Sequence, residues 1–269
     1  MVETLPQTID LVALKFKLMK DDNPLNTVLL QELQRYNSLL NLIEVDLKAL
    51  DRGVLGFSVI TEYLEKIMRN LLDNRVPDGW SIFYFSLKSL SRWTEDLNER
   101  MDFFTHWCQR PPYVYNLNAF TYPNGFSTAL LQRFSRRSFG ANIVSIDRLE
   151  FDFGIVNRAI CDIQDYAKDG AFVTGLILEG AKWNIEKGYL MEPEVMELYI
   201  KMPVLHFKPI PRRTKALPNM YGCPVYYYPV RQGTVDRDSY IMKIDLKSGE
   251  QHPNFWIKRG TALLLSTAN

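Results

Sequence analysis

The chain has 269 residues, 46% of them apolar, and a formal net charge of +1. This length accommodates one or two domains with a substantial core, and the near-neutral charge excludes any whole-chain electrostatic argument for binding nucleic acid or an acidic membrane. The three cysteines form neither a disulfide framework nor a zinc motif, and the sequence shows no signal peptide and no apolar run of about 18 residues. We therefore expect a soluble protein in a reduced intracellular compartment.

Three amphipathic patterns before Pro111 predict helices. The first begins at Pro24, after a polar run suited to a helix cap, and ends at Gly53 and Gly56. Two further helices are predicted over residues 61–72 and 90–109. The first helix bears an apolar stripe with alternating spacings of four and three, formed by Leu29, Leu33, Tyr36, Leu40, Ile43, Leu47 and Leu50.

A long helix with a single apolar stripe must pack against something. One alternative is that the stripe packs on neighbouring helices of the same molecule. The other is that part of the stripe docks on a larger body outside it. The sequence leaves both open, and each can hold for a different segment of the helix.

The character of the sequence changes after Pro111 and Pro112. A helix is predicted over residues 127–137 and an alternating strand over residues 146–155, and later runs separated by turn signals predict about six short strands. These later runs cover residues 172–179, a return from Tyr189, 202–208, 223–228, 240–246 and 256–265. Consecutive strands without intervening helices indicate an antiparallel barrel or sandwich. We therefore predict an α+β fold, with N-terminal amphipathic helices in residues 1–140 and a roughly six-stranded antiparallel β-barrel in residues 141–269.

The segment over residues 170–184 nearly matches a nucleotide-binding phosphate loop. Gly175, Gly180 and Lys182 approach the G-x-x-x-x-G-K-[ST] pattern. The lysine, however, is displaced by one position, Trp183 stands where a hydroxyl residue should bind Mg²⁺, and no helix follows. We therefore interpret the segment as a buried strand that turns at Gly180 and returns as a hairpin.

The sequence shows no recognisable catalytic constellation. His206 lies in an apolar strand, which favours a hydrogen-bonded structural histidine. Glu150 and Asp152 share one strand face, but the alternation places that face in solvent and favours a surface charge pair. Two basic clusters favour a solvated face or salt bridges, and they consist of Arg133, Arg136 and Arg137, and of Arg212, Arg213 and Lys215. We predict no catalytic residue, no metal and no cofactor, and hence an interaction or regulatory module rather than an enzyme.

A series of short motifs spaced along nearly the whole sequence matches one known family. The motifs are Pro24-Leu25-Asn26, residues 31–37 (QELQRYN), Val76-Pro77 with Trp80, Leu90 with Trp93, Asp96-Leu97 and Arg100, Phe120 with Pro123 and Gly125-Phe126, Gln132, Gly175-Leu176 with Leu178-Glu179-Gly180-Ala181 and Trp183, Met202-Pro203-Val204, Cys223-Pro224-Val225-Tyr226, Arg231 with Gly233-Thr234, and Trp256-Ile257 with Arg259-Gly260 and Ala262-Leu263-Leu264. In their order and spacing the sequence closely resembles the C-terminal domain of dynein heavy chains, and is most similar to the axonemal branch. One departure is Asn118-Ala119-Phe120, where relatives usually carry Ser-Gly-Phe.

This resemblance implies a part of a motor whose ATP-hydrolysing AAA modules and microtubule-binding stalk lie elsewhere in the heavy chain. It implies a domain that packs on the AAA+ ring, braces it, and modulates processivity, force and ATP-linked conformational change. The implied partners are the ring directly, and dynein subunits and microtubules through the parent motor, in the cytoplasm, the cytoskeleton and the axoneme of a cilium or flagellum. No nucleic acid or membrane partner is implied. We predict that the ring is contacted by Leu29, Leu33, Tyr36, Leu40, Ile43 and Leu47.

Two alternatives remain open. The first is a free-standing small-molecule-binding barrel, or an enzyme, with a site inside the strands near His206 or Tyr226; a deep pocket of several hundred Å³ with convergent polar groups would favour it. The second is a cytoplasmic dynein fragment with the same role, against which the motifs that begin at Cys223 and Trp256 favour the axonemal branch. A domain cut from its ring should also expose larger apolar patches than a typical monomer.

Overall fold

The computed structural model describes residues 5–18, 21–84, 86–139, 144–215, 217–229 and 239–267. The molecule forms two compact units, the first built mainly from Asn26–Pro111 and the second mainly from Pro112–Ser266. The family motif at Arg231, Gly233 and Thr234 lies outside the described residues.

The first unit is helical. Its helices are α1 (Leu11–Leu18), α2 (Pro24–Val54), α3 (Glu62–Leu72), α4 (Asp78–Ser81) and α5 (Leu90–Gln109). The predicted helices over residues 61–72 and 90–109 are confirmed to within one residue, and the long helix extends beyond Gly53. Thr61 caps α3, because its Oγ1 accepts a hydrogen bond from the Leu64 amide at 3.3 Å.

Aromatic rings fill the core of the helical unit. Trp93 on α5 stacks between Trp80, at a ring-centroid distance of 6.1 Å, and Tyr84, at 5.3 Å. Tyr36 on α2 packs against Tyr84 and against Phe104 on α5. These large rings join α2, α5 and the segment between α3 and α5 into one core.

The second unit contains helices α6 (Pro123–Phe139) and α7 (Pro253–Arg259) among the strands. Its strands are β1 (Val114–Asn116), β2 (Leu149–Val156), β3 (Ala171–Thr174), β4 (Ile177–Glu179), β5 (Lys182–Asn184), β6 (Tyr189–Met191), β7 (Tyr199–Lys201), β8 (Val204–Pro211), β9 (Met220–Tyr226), β10 (Tyr240–Lys247) and β11 (Ala262–Leu264). A hairpin is present as β5 and β6, but its turn lies between Asn184 and Tyr189 rather than at Gly180, and the strand before Gly180, β4, pairs with β7 and β11 instead. Helix α6 thus belongs to the unit of the strands, although the sequence grouped it with the preceding helices.

The predicted closed antiparallel barrel is wrong. In the described residues the strands form a four-stranded sheet in the order β1-β3-β8-β2, a five-stranded sheet in the order β10-β9-β11-β4-β7, and the separate hairpin β5-β6. Each of these two larger sheets keeps two edge strands, whereas a barrel has none. Two pairs, β1 with β3 and β11 with β9, are also parallel. The predicted α+β class is correct, but the prediction that the strands close into a barrel is not.

The predicted continuous strand over residues 172–179 is divided at Gly175. Its first half, β3, pairs with β8 in the four-stranded sheet, and its second half, β4, pairs with β7 and β11 in the five-stranded sheet. Gly175 has φ +89°, and a Cβ atom there would lie 2.2 Å from Oδ1 of Asn116. Only glycine therefore fits where the backbone passes from one sheet to the other.

The predicted strand over residues 256–265 is also wrong in its first part, which is helix α7. The imidazole of His252 accepts a hydrogen bond from the Asn254 amide at 3.2 Å, and Pro253 follows in the first turn. Gly260 ends the helix in the left-handed conformation at φ +71°. The apolar run, with Trp256 fully buried, was mistaken for a strand because short buried helices and strands share the same apolar composition.

Candidate functional site

The segment that resembled a phosphate loop forms strands. Gly180 turns the backbone at φ +73°, as predicted, and Lys182 begins strand β5 rather than a helix. The Lys182 ammonium pairs with Glu194 at 2.9 Å, and this hydrogen bond raises the pKa of Lys182 and lowers that of Glu194. Without a following helix, no row of backbone amides is directed at a phosphate.

The two candidate carboxylates, those of Glu150 and Asp152, both form ion pairs with Arg213. The Arg213 guanidinium lies 3.5 Å from Oε1 of Glu150 and also contacts the carboxylate of Asp152. All three side chains are partly exposed. The basic cluster that contains Arg213 is thus partly neutralised by Glu150 and Asp152, on the strand face that the sequence predicted to be charged. The arrangement is a surface charge network.

His206 has the structural role that the sequence predicted. Its Nε2 lies 2.7 Å from the carbonyl oxygen of Asp169, and its ring packs against Phe172. In the part of the molecule that the structure describes, no three His, Cys, Asp or Glu side chains come close enough to hold a metal ion. No described helix has the length and apolarity needed to cross a membrane.

The apolar stripe of α2 is largely buried within the molecule. Of the six residues predicted to contact the ring, Leu29, Leu33, Tyr36, Leu40 and Ile43 are at most 4% exposed, and Leu47 is half-buried. The protein itself therefore covers most of the stripe. Direct contact of these residues with another body stays a prediction, and among them Leu47 offers the most surface for it.

A buried polar network surrounds Tyr36. The Arg100 guanidinium donates from Nε to Asp96 at 2.8 Å and lies over the Tyr84 ring, and Lys88 donates to the other Asp96 oxygen at 2.9 Å. Burial raises the pKa of the Tyr36 and Tyr84 hydroxyls. Burial by itself would lower the pKa of Arg100, but the neighbouring Tyr36 and Asp96 raise it. Nη1 of Arg100 also donates to the Tyr36 hydroxyl at 3.5 Å, so the network links α5 to α2.

A second buried carboxylate went unnoticed in the sequence. Asp46 on α2 accepts a hydrogen bond from Nε1 of Trp80 at 2.8 Å and from the Tyr63 hydroxyl at 3.0 Å. It lies three residues after Ile43, on the same helix face as the stripe. A charged residue at a position that periodicity places in the core was the available signal.

An apolar segment at the C-terminal end of α2 lies on the surface. We call residues 54–60, which are the last residue of α2 and the six residues after it, the exposed loop. Its large apolar side chains are Val54, Leu55, Phe57, Val59 and Ile60, all of them exposed, with Phe57 74% and Val59 86% accessible. Seven consecutive residues thus carry five exposed large apolar side chains and no charge, unlike the single exposed residues common on any protein.

Hydrogen bonds at the end of α2 set the conformation of the exposed loop. The Phe57 amide donates to the Arg52 carbonyl at 2.8 Å and the Gly56 amide donates to the Gly53 carbonyl at 3.0 Å, with Gly56 at φ +78°. This pair of bonds is the Schellman motif that commonly ends helices. Ile60 packs back onto Gly53, where a Cβ atom would lie 2.8 Å from the Ile60 side chain. The loop therefore presents its apolar side chains from an ordered backbone.

A surface cavity of about 370 Å³ lies in the second unit, where β2 ends and β8 begins. It is lined by Val156, Asn157, Arg158, Ala159, Ile160, Thr174, Ile185, Lys201, Met202, Pro203 and Val204. Neither His206 nor Tyr226 lines it, so the cavity is not the site proposed for a ligand-binding barrel.

Comparison with known proteins decides the family. A family profile described as the C-terminal domain of the dynein heavy chain matches residues 1–265. The protein belongs to this family. The motifs that the sequence presented in order and spacing are therefore those of a dynein C-terminal domain, and the predicted resemblance is confirmed.

Several curated relatives of this dynein domain are named as axonemal or flagellar dynein heavy chains. The sequence is similar to human dynein axonemal heavy chain 2 (43% identical over 266 residues, 98% of this chain), to the dynein-1-beta heavy chain of the flagellar inner arm I1 complex in Chlamydomonas reinhardtii (40% over 269 residues, 100% of this chain), and to human dynein axonemal heavy chain 1 (36% over 267 residues, 96% of this chain). It spans about 6% of the length of each.

Proposed function

We propose that this protein is the C-terminal domain of an axonemal dynein heavy chain, that it braces the AAA+ ring of the same heavy chain, and that it modulates processivity, force and ATP-linked conformational change. The observation that carries the proposal is the exposed loop. Its five exposed apolar side chains lie on an ordered backbone and need a partner surface.

The partner that fits best is the remainder of the same heavy chain. Relatives extend far beyond the 6% of their length that matches this domain, so a covalently linked body is present in them. Tethering raises the effective concentration of such a body to a level that a separate partner rarely reaches. An uncharged, apolar contact is also suited to a permanent interface rather than to a transient one.

We place this function in the axoneme of a cilium or flagellum, as part of the cytoskeleton. Support comes from the relatives, which are named axonemal or flagellar. Contact with microtubules and with other dynein subunits would then occur through the parent motor.

We propose further that the domain does not itself hydrolyse ATP. The segment around Lys182 is a strand pair that lacks both a lysine at the required position and a following helix. Any effect on ATP turnover would then be exerted through the ring, by favouring one of its conformations over another.

A titration of the domain against the heavy-chain motor lacking it tests the proposal. The wild-type domain is expected to bind the motor and to change both its ATPase rate and its microtubule gliding velocity. The double substitution Leu55→Ser with Phe57→Ser removes two exposed side chains and should weaken binding at least about tenfold. Ile257→Ser, at an exposed position on α7, is the matched control and should bind like wild type.

Two results would contradict the proposal. The first is ATP hydrolysis by the isolated domain above that of a buffer control. The second is failure of the wild-type domain to bind the motor at all. Binding that is equally strong in the double variant would retain the bracing role but exclude the exposed loop as its contact.

A further inference from the structure

The 370 Å³ cavity of the second unit has a volume within the range of ligand sites, and the role proposed above does not use it. Three separate segments build most of it: the end of β2 with the following turn, the β5-β6 hairpin turn, and the connection from β7 to β8. The last pair of the β2-β8 ladder, Val156 with Val204, lines the cavity. Because Val204 belongs to a buried apolar cluster with Ile163 and Phe172, this part of the lining is tied to a packed core.

The charged groups at the cavity are both positive. Lys201 and Arg158 line it, and no carboxylate stands among its described lining residues. Within the described residues the Lys201 side chain makes no ion pair or hydrogen bond. Arg158 shares its charge with Asp165 at 3.2 Å, but both of these side chains are about half exposed, so the pair can exchange at little cost. The cavity therefore carries an uncompensated positive charge.

The rest of the lining is mostly apolar. Ile160 and Ile185 are about half exposed on its walls, and Met202 and Pro203 adjoin them. Asn157 and Thr174 add uncharged polar side chains to the lining. A fully hydrated small anion would leave the isoleucines exposed, whereas a segment with both an acidic and an apolar side chain would cover them and pair with the cations.

We propose that this cavity binds a peptide segment in which an acidic side chain lies next to an apolar one. The carboxylate pairs with Lys201 and, by exchange with Asp165, with Arg158. The apolar neighbour packs between Ile160 and Ile185. This inference is independent of the bracing role, because it concerns the second unit and does not involve the exposed loop.

Methyl NMR of the full 269-residue protein, labelled at isoleucine, tests the proposal directly. The probes are a blocked Leu-Glu-Leu-Glu peptide and its Leu-Gln-Leu-Gln counterpart. The acidic peptide is expected to shift the Ile160 and Ile185 methyl signals saturably, and the amide peptide is expected to bind at least about fivefold more weakly, as removal of one partly exposed ion pair predicts.

Substitutions distinguish the roles of the two cations. Lys201→Gln should weaken the acidic peptide about fivefold, and Arg158→Gln should weaken it about twofold, because Arg158 already has Asp165 as a partner. Lys258→Gln, on the exposed surface of α7, is the matched control and should leave binding unchanged. Lys201 is exposed and pairs with no described side chain, so the variant should retain the wild-type methyl spectrum away from the cavity.

Three results would overturn the proposal. Equal affinity for the acidic and amide peptides would exclude a role for the charge. Inorganic phosphate that binds as tightly as the acidic peptide, with the same methyl shifts, would indicate a simple anion site. Peptide binding that leaves the Ile160 and Ile185 signals unmoved would place the contact elsewhere.

Discussion

The stripe of α2 and the exposed loop that follows it have similar apolar composition and opposite exposure. Leu33 in the stripe is fully buried, whereas Phe57 in the loop is 74% exposed. The stripe repeats at helical spacing and is covered by the aromatic core of its own unit, whereas the loop lies beyond the helix end, where the described residues leave it uncovered. An apolar pattern therefore identifies a surface that must be covered, but it does not identify what covers that surface.

Truncation of one side chain in each region is expected to give the largest difference in the free energy of unfolding. Leu33→Ala should lower the free energy of unfolding by about 2 to 5 kcal/mol, because the fully buried side chain would leave a cavity. Phe57→Ser, the matched change in the loop, should alter it by no more than about 0.5 kcal/mol. Urea unfolding followed by tryptophan fluorescence measures both. Similar losses for the two variants would mean that the loop packs on its own unit, and the comparison would then fail.

The free energy of unfolding at alkaline pH tests the burial of Tyr36, which is the one ionisable residue of the stripe. Burial raises the pKa of Tyr36 above its ordinary value of 10.0. The stabilisation that the buried Tyr36 hydroxyl contributes is therefore fully present below pH 10.0. It is lost as the pH rises above that value, because the Tyr36 hydroxyl of the unfolded protein loses its proton at a lower pH than that of the folded protein. Between the pKa of the unfolded state and that of the folded state, each such buried hydroxyl lowers the free energy of unfolding by about 1.4 kcal/mol per pH unit.

Tyr36→Phe should consequently reduce the slope of stability against pH above pH 10.0 by about one proton. Urea unfolding in steps from about pH 8 to about pH 11.5 measures this slope. Phe104→Leu, in the same aromatic cluster, is the control and should lower stability by a similar amount at every pH. An unchanged slope in Tyr36→Phe would show that the hydroxyl ionises as readily in the folded protein as in the unfolded one.

Substitution at a second exposed apolar site, Met196, is expected to change stability the least. Unlike Leu33→Ala, it should raise stability rather than lower it. Met196 is 98% exposed with φ +73°, in a turn closed by the Glu197 amide and the Glu194 carbonyl at 3.1 Å. Met196→Gly should raise stability by about 0.5 to 1 kcal/mol, because glycine adopts this conformation without strain and the exposed side chain packs on little. The matched Val195→Gly should lower it by a similar amount. A loss in Met196→Gly would show that the methionine makes contacts that stabilise the fold.

The helices were predictable because their signals are local. Alternating spacings of four and three, a cap at Thr61 and glycines at the end of α2 all act within a few residues, and α2, α3 and α5 agree closely with the prediction. Helix α7, which was predicted as part of a strand, is the exception. The strands were predictable in rough position, because their signals also lie in short runs. Their pairing was not, because it depends on contacts between residues far apart in sequence.

Several features of the site required partners that the sequence could not supply. The hydrogen-bond donors to Asp46, Trp80 and Tyr63, lie 34 and 17 residues away from it in the sequence. The cavity around Lys201 is assembled from segments that are separate in the sequence, and no single segment forms it. Sequence patterns report the chemistry of a residue, and only the fold reports which other residues reach it.

By itself the sequence determined the family, the helical character of the first part, the strand-rich second part and the failure of the phosphate-loop pattern at Lys182. Each of these depends on the order of residues in the sequence. Only the tertiary structure decided that the described sheets remain open, that the backbone passes between sheets at Gly175, and that the α2 stripe is covered while the loop after it is exposed. The physical reason is that burial and strand pairing are properties of distant neighbours, and a helical or strand period records only that a face must be buried.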